Sequence, residues 1–233
     1  MAGPLPFRAL VTDVDGTLTD RERRLDPRAV AAVRSLEARG VPVILATGNV
    51  LPIALALYRF LGLSGPIVAE NGGLLYHELD GRSVVERFSD GKLPRRAFRH
   101  LLDAGVPARR LFTDRWRETE VALEPSVPVA SVRRALGGWA ITVESTGYAL
   151  HLMERGGGKL PALRRALAPL ALVPRDCVVL GDGDNDVAML RSAGFAVSFP
   201  SASPRARRAA KCVTRAEYAG GFLEGVKASG LLA

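Results

Sequence analysis

The sequence predicts an α/β fold, a Rossmann-like parallel-sheet core domain interrupted by a smaller inserted α+β module. Three observations lead there. Short apolar, β-branched runs alternate with helix-length segments between residues 8 and 70. Paired strand-like runs replace that alternation between residues 74 and 154. It resumes after Gly156-Gly157-Gly158. With 233 residues, the chain is long enough for a core domain plus a second, smaller one.

Arg8 to Val14 reads as a buried parallel strand. Asp26-Pro27 suits the N-cap and first position of a helix running to about Arg39, with Gly40 just beyond its end. Val41 to Thr47 is a second strand, Leu51 to Leu61 a helix and Pro66 to Glu70 a third strand. Strand, helix, strand, helix, strand implies parallel pairing through crossovers. Leu74 to Glu78 and Val84 to Ser89 then read as a hairpin, and Pro94 to Ala104 as a helix. Arg109 to Asp114 and Thr119 to Glu124 read as two strands, and Val129 to Leu136 as a helix. Ala140 to Ser145 and Tyr148 to Glu154 form a strand pair around Thr146-Gly147. Helix-strand-strand therefore occurs twice, and the three glycines read as a hinge. After them come a helix (Leu160 to Leu170), a strand (Cys177 to Leu180) and a helix (Asp186 to Ala193). Phe195 to Phe199 is a strand, and Cys212 to Thr214 is read as another. The expected boundaries are a core domain of residues 1–80 and 156–233 and an inserted domain of 81–155.

Composition excludes several classes. Hydrophobic residues are 48% and charged residues 24%, an ordinary globular mixture. No apolar run reaches the ~20 residues needed to span a bilayer, so no membrane partner is expected. The N-terminal residues lack the order of a secretory leader, which makes the cytoplasm the expected location. Cys177 and Cys212 have neither zinc-site spacing nor the density of a disulfide scaffold and read as buried thiols. The net charge is +8, nearly all of the excess being arginine. The basic residues are scattered and form no recognition motif, so no nucleic-acid partner is expected. The charge suits attraction of small anions.

Ligands of open α/β sheets sit at the carboxyl ends of the strands. Four polar segments fall there: Asp13-Val14-Asp15-Gly16-Thr17, Thr47-Gly48-Asn49, Glu70-Asn71-Gly72-Gly73, and Gly181-Asp182-Gly183-Asp184-Asn185-Asp186. Lys159 opens the helix after the hinge. Acids gathered on one rim repel unless a cation joins them, and oxygen-only ligands favour a hard ion such as Mg²⁺. Of Asp13 and Asp15, one can attack phosphorus while the other handles protons. Asp15 could protonate a departing alkoxide and then activate water. Thr47 and nearby N–H groups suit phosphoryl oxygens, and Lys159 offers a positive point charge to Asp13 and phosphate alike. Asp182 and Asp186 would complete the metal site, with Asn185 behind it or on the phosphate side. Taken singly, a DxD can be a turn, a Thr-Gly a loop and a lysine a surface charge. The acidic loop after the late strand fails the calcium-loop pattern at Val187 and Ala193, and Gly158-Lys159-Leu160 fails the P-loop pattern. His77, His100 and His151 lack metal-ligand spacing and read as structural.

In their order and spacing, DVDGT at 13–17, the Thr47 segment, Lys159 and GDGDND at 181–186 resemble the haloacid dehalogenase superfamily of phosphatases. The inserted module is similar to that superfamily's type-IIB cap, as in its Cof-like branch. The Thr-Gly-Asn form, the short cap and the ENGG segment look more like the archaeal phosphoglycolate phosphatases. The resemblance implies an Asp13 nucleophile and an Asp15 acid/base. It implies Mg²⁺ held by Asp13, the Asp15 main-chain carbonyl and Asp182, with Asp186 at or behind the metal. Thr47, Gly48, Asn49 and Lys159 are implied to bind substrate, a small phosphorylated metabolite with 2-phosphoglycolate the first expectation. A phosphomutase or sugar-phosphate phosphatase of the same superfamily is the nearest alternative, and a basic nucleic-acid-binding protein the distant one. A monomer or homodimer is expected.

Overall fold

The computed structural model describes residues 6–146 and 148–232. Gly147, half of the expected Thr146-Gly147 turn, lies outside them. The first elements are β1 (Ala9–Thr12), α1 (Pro27–Ala38), β2 (Val43–Ala46), α2 (Leu51–Leu61) and β3 (Ile67–Ala69). All three strands are wholly buried, as runs without polar alternation require. Asp26 caps α1, its carboxylate accepting the Arg28 N–H at 2.8 Å. Ala29, Ala32, Val33 and Leu36 line the buried face of that helix at helical spacing.

β4 (Leu74–Leu79) and β5 (Arg82–Arg87) form a hairpin, and β4 pairs antiparallel with β3. The expectation that residues 81–155 leave the core sheet together is therefore corrected for this strand. β5 extends the larger sheet, and residue 81 falls in the hairpin turn. The reason is burial: Leu74, Leu75 and Tyr76 belong to the large hydrophobic core, and Val85 packs against it.

Next come α3 (Lys92–Asp103), β6 (Val121–Leu123), α4 (Val129–Ala135), β7 (Ile141–Ser145) and β8 (Leu150–Glu154). They build a separate antiparallel sheet of order β6-β8-β7. The expected strand over Arg109 to Asp114 is absent. Only an isolated bridge joins Arg110 to Leu123, and a 3₁₀ turn spans Phe112–Trp116. The buried Asp114 carboxylate takes the Ala122 N–H at 2.6 Å and pairs with Arg110, so a side chain occupies a ladder donor. Val121, Leu123, Val143, Leu150 and Leu152 pack under α3 and α4 in a second hydrophobic core.

The chain returns to the larger sheet through α5 (Lys159–Leu167), β9 (Cys177–Leu180), α6 (Val187–Ser192), β10 (Phe195–Ser198), α7 (Pro204–Ala209), β11 (Cys212–Val213) and α8 (Tyr218–Ala228). The eight strands run β11-β10-β9-β1-β2-β3-β4-β5, parallel from β11 to β3. Sequence patterning did not assign α7 or α8. The glycines of α8 are poor helix formers, but Gly225 lies where a Cβ would collide with Val197, so close packing outweighs propensity. No helix among the described residues is long and apolar enough to cross a membrane.

Candidate active site

Four neighbouring parallel strands, β9-β1-β2-β3, end on one rim and deliver the site. Asp13 follows β1, Thr47 follows β2, Glu70 follows β3, and Asp182 lies two residues beyond β9. Backbone bonds continue the sheet past the strand ends: Asp13 N–H donates to Leu180 O at 3.1 Å and Thr47 N–H to Val68 O at 2.8 Å. Lys159, the first residue of α5, is buried beneath the rim. Its Nζ lies 2.7 Å from Asp186 Oδ1 and 3.2 Å from Asp13 Oδ1. The other Asp186 oxygen accepts the N–H groups of Asp182 (3.1 Å) and Gly183 (2.9 Å), tying the acidic loop to itself. Asn49 Nδ2 donates to Asp15 Oδ2 at 2.6 Å, and Asn49 N–H donates to Thr47 Oγ1 at 3.0 Å. All eight sequence-predicted positions thus meet at one place.

One oxygen each from Asp13, Asp182 and Asp186 lies within 4.8 Å of the others. Burial, then the nearby Asp186, Asp182 and Asp15 carboxylates, push Asp13 well above the usual carboxylate range although Lys159 opposes them. Burial and then Asp186 push Asp182 up to about 7. Burial disfavours a charged Lys159, yet Asp13 and Asp186 outweigh it and hold the ammonium above its ordinary value. One lysine therefore leaves negative charge in excess. An all-oxygen donor set with surplus charge fits a hard divalent cation. Gly16 keeps the space open, since at φ +75° a Cβ there would run into the Asp182 carboxylate.

The cleft above the rim has a volume of about 190 Å³, and Asp13, Asp15, Gly48, Asn49 and Asp182 line it together with residues of the smaller domain. Among the latter are Arg117 and His151, whose part the sequence reading missed. Arg117 Nη1 donates to Gly48 O at 2.9 Å and pairs with Glu120. His151 Nδ1 lies 2.9 Å from Glu120 Oε1. Asn71 Nδ2 donates to Glu120 Oε2 at 3.1 Å, while its Oδ1 accepts Asn185 Nδ2 at 2.9 Å. Burial opposes charge on Glu120, but His151 and Arg117 outweigh it and hold the carboxyl below its ordinary value. The reading of His151 as merely structural is thus incomplete: it is buried, yet it faces the cleft.

Two signals could have found this network. Along β6 and β8 the apolar core faces Val121, Leu123, Leu150 and Leu152 alternate with Glu120 and His151, so the opposite face of a half-buried sheet carries charge. The chain also has no glutamine and only three asparagines, Asn49, Asn71 and Asn185. All three are in the site.

A family model described as haloacid dehalogenase-like hydrolase matches residues 10–107 and 127–225. The chain belongs to that family. Among relatives of this haloacid dehalogenase-like hydrolase, a phosphoglycolate phosphatase of Methanothermobacter thermautotrophicus is 38% identical over 222 residues, covering 95% of this chain and 98% of the relative. A phosphoglycolate phosphatase of Archaeoglobus fulgidus is 33% identical, covering 97% and 98%. A crystal structure from Thermoplasma acidophilum superposes with a TM-score of 0.85 at 28% identity, covering 97% of this chain and 99% of that one. A subclass IIB sugar phosphatase shares the fold, with a TM-score of 0.79 at 17% identity over 97% of this chain and 100% of that one. This haloacid dehalogenase-like hydrolase is a phosphatase acting on phosphoric monoesters.

Proposed function

We propose that this phosphatase hydrolyses 2-phosphoglycolate to glycolate and phosphate, using Mg²⁺ and an aspartyl-phosphate intermediate. The observation that carries the chemistry is Asp13 beside Lys159 at the floor of a small cleft, with Asp15 held by Asn49. The substrate is supported by relatives named phosphoglycolate phosphatase that align over nearly all of both chains.

Asp13, the Asp15 main-chain carbonyl and Asp182 would hold the metal, with Asp186 fixing Lys159 and the acidic loop. When bound, Mg²⁺ would offset the negative charge between Asp13 and the phosphoryl oxygens. Asp13 attacks phosphorus to form an acyl phosphate as the bond to the glycolate oxygen breaks, and Asp15 gives that oxygen its proton. Asp15 then takes a proton from water, whose oxygen attacks the same phosphorus, releasing phosphate and restoring Asp13. Lys159 balances charge on Asp13 and the phosphate, and the Thr47 segment supplies donors to the phosphoryl oxygens. Asn49 acts through Asp15, positioning its carboxylate.

The test is kcat/KM for 2-phosphoglycolate beside hexose phosphates, nucleotides and pyridoxal phosphate. Phosphoglycolate is expected to lead. A rank more than about tenfold below another ester, roughly 1.4 kcal/mol in transition-state stabilisation, removes this substrate and leaves the phosphatase.

A further inference from the structure

We infer that Arg117 and His151, held together by Glu120 on the smaller domain, form the seat for a second anionic group of the substrate, a carboxylate a few bonds from the phosphate. The inference rests on the phosphatase reading above and adds the residues that select the substrate class.

Arg117, Glu120, His151 and Asn71 are each at least nine-tenths buried. Glu120 accepts from the other three, so the two basic side chains are locked in place before any ligand arrives. Their bonding capacity is not exhausted. Arg117 spends Nη1 on Gly48 and Glu120. Its Nε is buried with no hydrogen-bond partner, Asp114 Oδ1 lying 4.0 Å away and beyond bonding range. Among the described residues neither Arg117 Nη2 nor His151 Nε2 has a protein partner, and both side chains line the cleft that contains Asp13. Nε is closed off on the Asp114 side, so Nη2 is the arginine donor left for a ligand.

Charge decides which ligand end goes there. The floor gathers Asp13, Asp15, Asp182 and Asp186 around a single lysine. A phosphate is compensated on that floor by Lys159 and a cation. A carboxylate on the same small molecule is repelled by the acids and driven to the opposite wall, where Arg117 Nη2 and, on the doubly protonated ring, His151 Nε2 each offer it one N–H. Arg21 and Arg23 also line the mouth but are exposed, and the Arg23 guanidinium lies over the Tyr148 ring at 3.5 Å. They attract anions generally; the buried pair sets the position. Glu120 is a positioning residue, acting through Arg117 and His151.

The experiment compares kcat/KM for 2-phosphoglycolate with that for 2-hydroxyethyl phosphate, in which an alcohol replaces the carboxylate. Wild type is expected to favour the carboxylate. Arg117→Met is expected to lower kcat/KM for phosphoglycolate roughly 30-fold, mainly through KM, and to change the neutral ester by less than about threefold. His151→Gln and Glu120→Gln should shift the same ratio in the same direction. Equal losses on both esters, or no loss on either, overturn the inference. The neutral ester reports folding within the same assay. Should Arg117→Met not fold, Arg117→Lys, which keeps the charge and loses the fork, decides on the same ratio. A wild type that prefers another carboxylate-bearing phosphate, with the ratio still collapsing in the variants, refutes phosphoglycolate and upholds the seat. A wild type that prefers the neutral ester overturns the seat and leaves the phosphatase standing.

Discussion

Asp13 carries the tension of the site in one side chain. It is buried, crowded by three other carboxylates, and compensated by one ammonium that it shares with Asp186. Replacing it with asparagine removes a charge that burial disfavours and keeps the shape, while Lys159 retains Asp186. The fold should therefore survive, and the nucleophile is gone. Asp13→Asn is expected to lower kcat roughly a thousandfold or more with a melting temperature within a few degrees of wild type. Steady-state rates and a thermal scan on the same preparation check both halves. Near-normal turnover would remove Asp13 from the nucleophile's role.

At the scale of elements, the end of β3 and the start of β6 are joined through side chains. Glu70 accepts the Thr119 hydroxyl at 2.6 Å and the Thr119 and Glu118 N–H groups at 2.9 and 3.1 Å. Glu70 and Asn71 both have positive φ, 48° and 53°, a conformation that costs non-glycine residues energy. The strain is compensated where their side chains reach Thr119 and Glu120. Glu120 makes this junction depend on pH. Its folded-state value lies below the ordinary 4.5, so the ionised form favours the fold. That stabilisation is present above the ordinary value and is lost as pH falls through the folded one. Glu120→Gln is accordingly expected to melt below wild type near about pH 7, and the gap should narrow as pH drops under about 4. Melting temperatures of both proteins across that range provide the check; a constant gap would exclude the ionised carboxylate as the cause.

The molecule as a whole is two hydrophobic cores meeting across an acidic rim, one under the larger sheet and one under the three-stranded sheet. A cation bound at the rim stabilises only the folded arrangement of Asp13 and Asp182, segments more than 160 residues apart in the chain. Mg²⁺ at about a hundred times its dissociation constant should raise the melting temperature by on the order of 5–10 °C, and Asp182→Asn should lose most of that shift. Chelation should abolish turnover, and added Mg²⁺ should restore it. Full activity in excess chelator, or an undiminished shift in Asp182→Asn, would remove Asp182 from the metal site. Ca²⁺, with a larger and looser coordination shell, is expected to bind and to inhibit.

The parts legible in the sequence are those whose signals are local. α2 and β9 occupy the residues that apolar run length and turn chemistry predict, Leu51–Leu61 and Cys177–Leu180. The rim motifs are legible because a strand end followed by acids and glycines has a chemistry of its own. What only the tertiary structure decided are choices between partners distant in the chain. The hairpin of β4 and β5 belongs to the larger sheet because its apolar face packs into that core. The stretch from Arg109 keeps only the Arg110–Leu123 bridge because the Asp114 carboxylate captures a backbone donor eight residues away. Arg117 carries no recognisable spacing, and strand alternation marks Glu120 and His151 only as lying opposite the apolar face. Their meaning comes from Gly48 and Asn71, which lie 69 and 49 residues away along the chain from their partners Arg117 and Glu120. Periodicity reports which face of an element is buried; only the packed molecule brings that face against a particular neighbour.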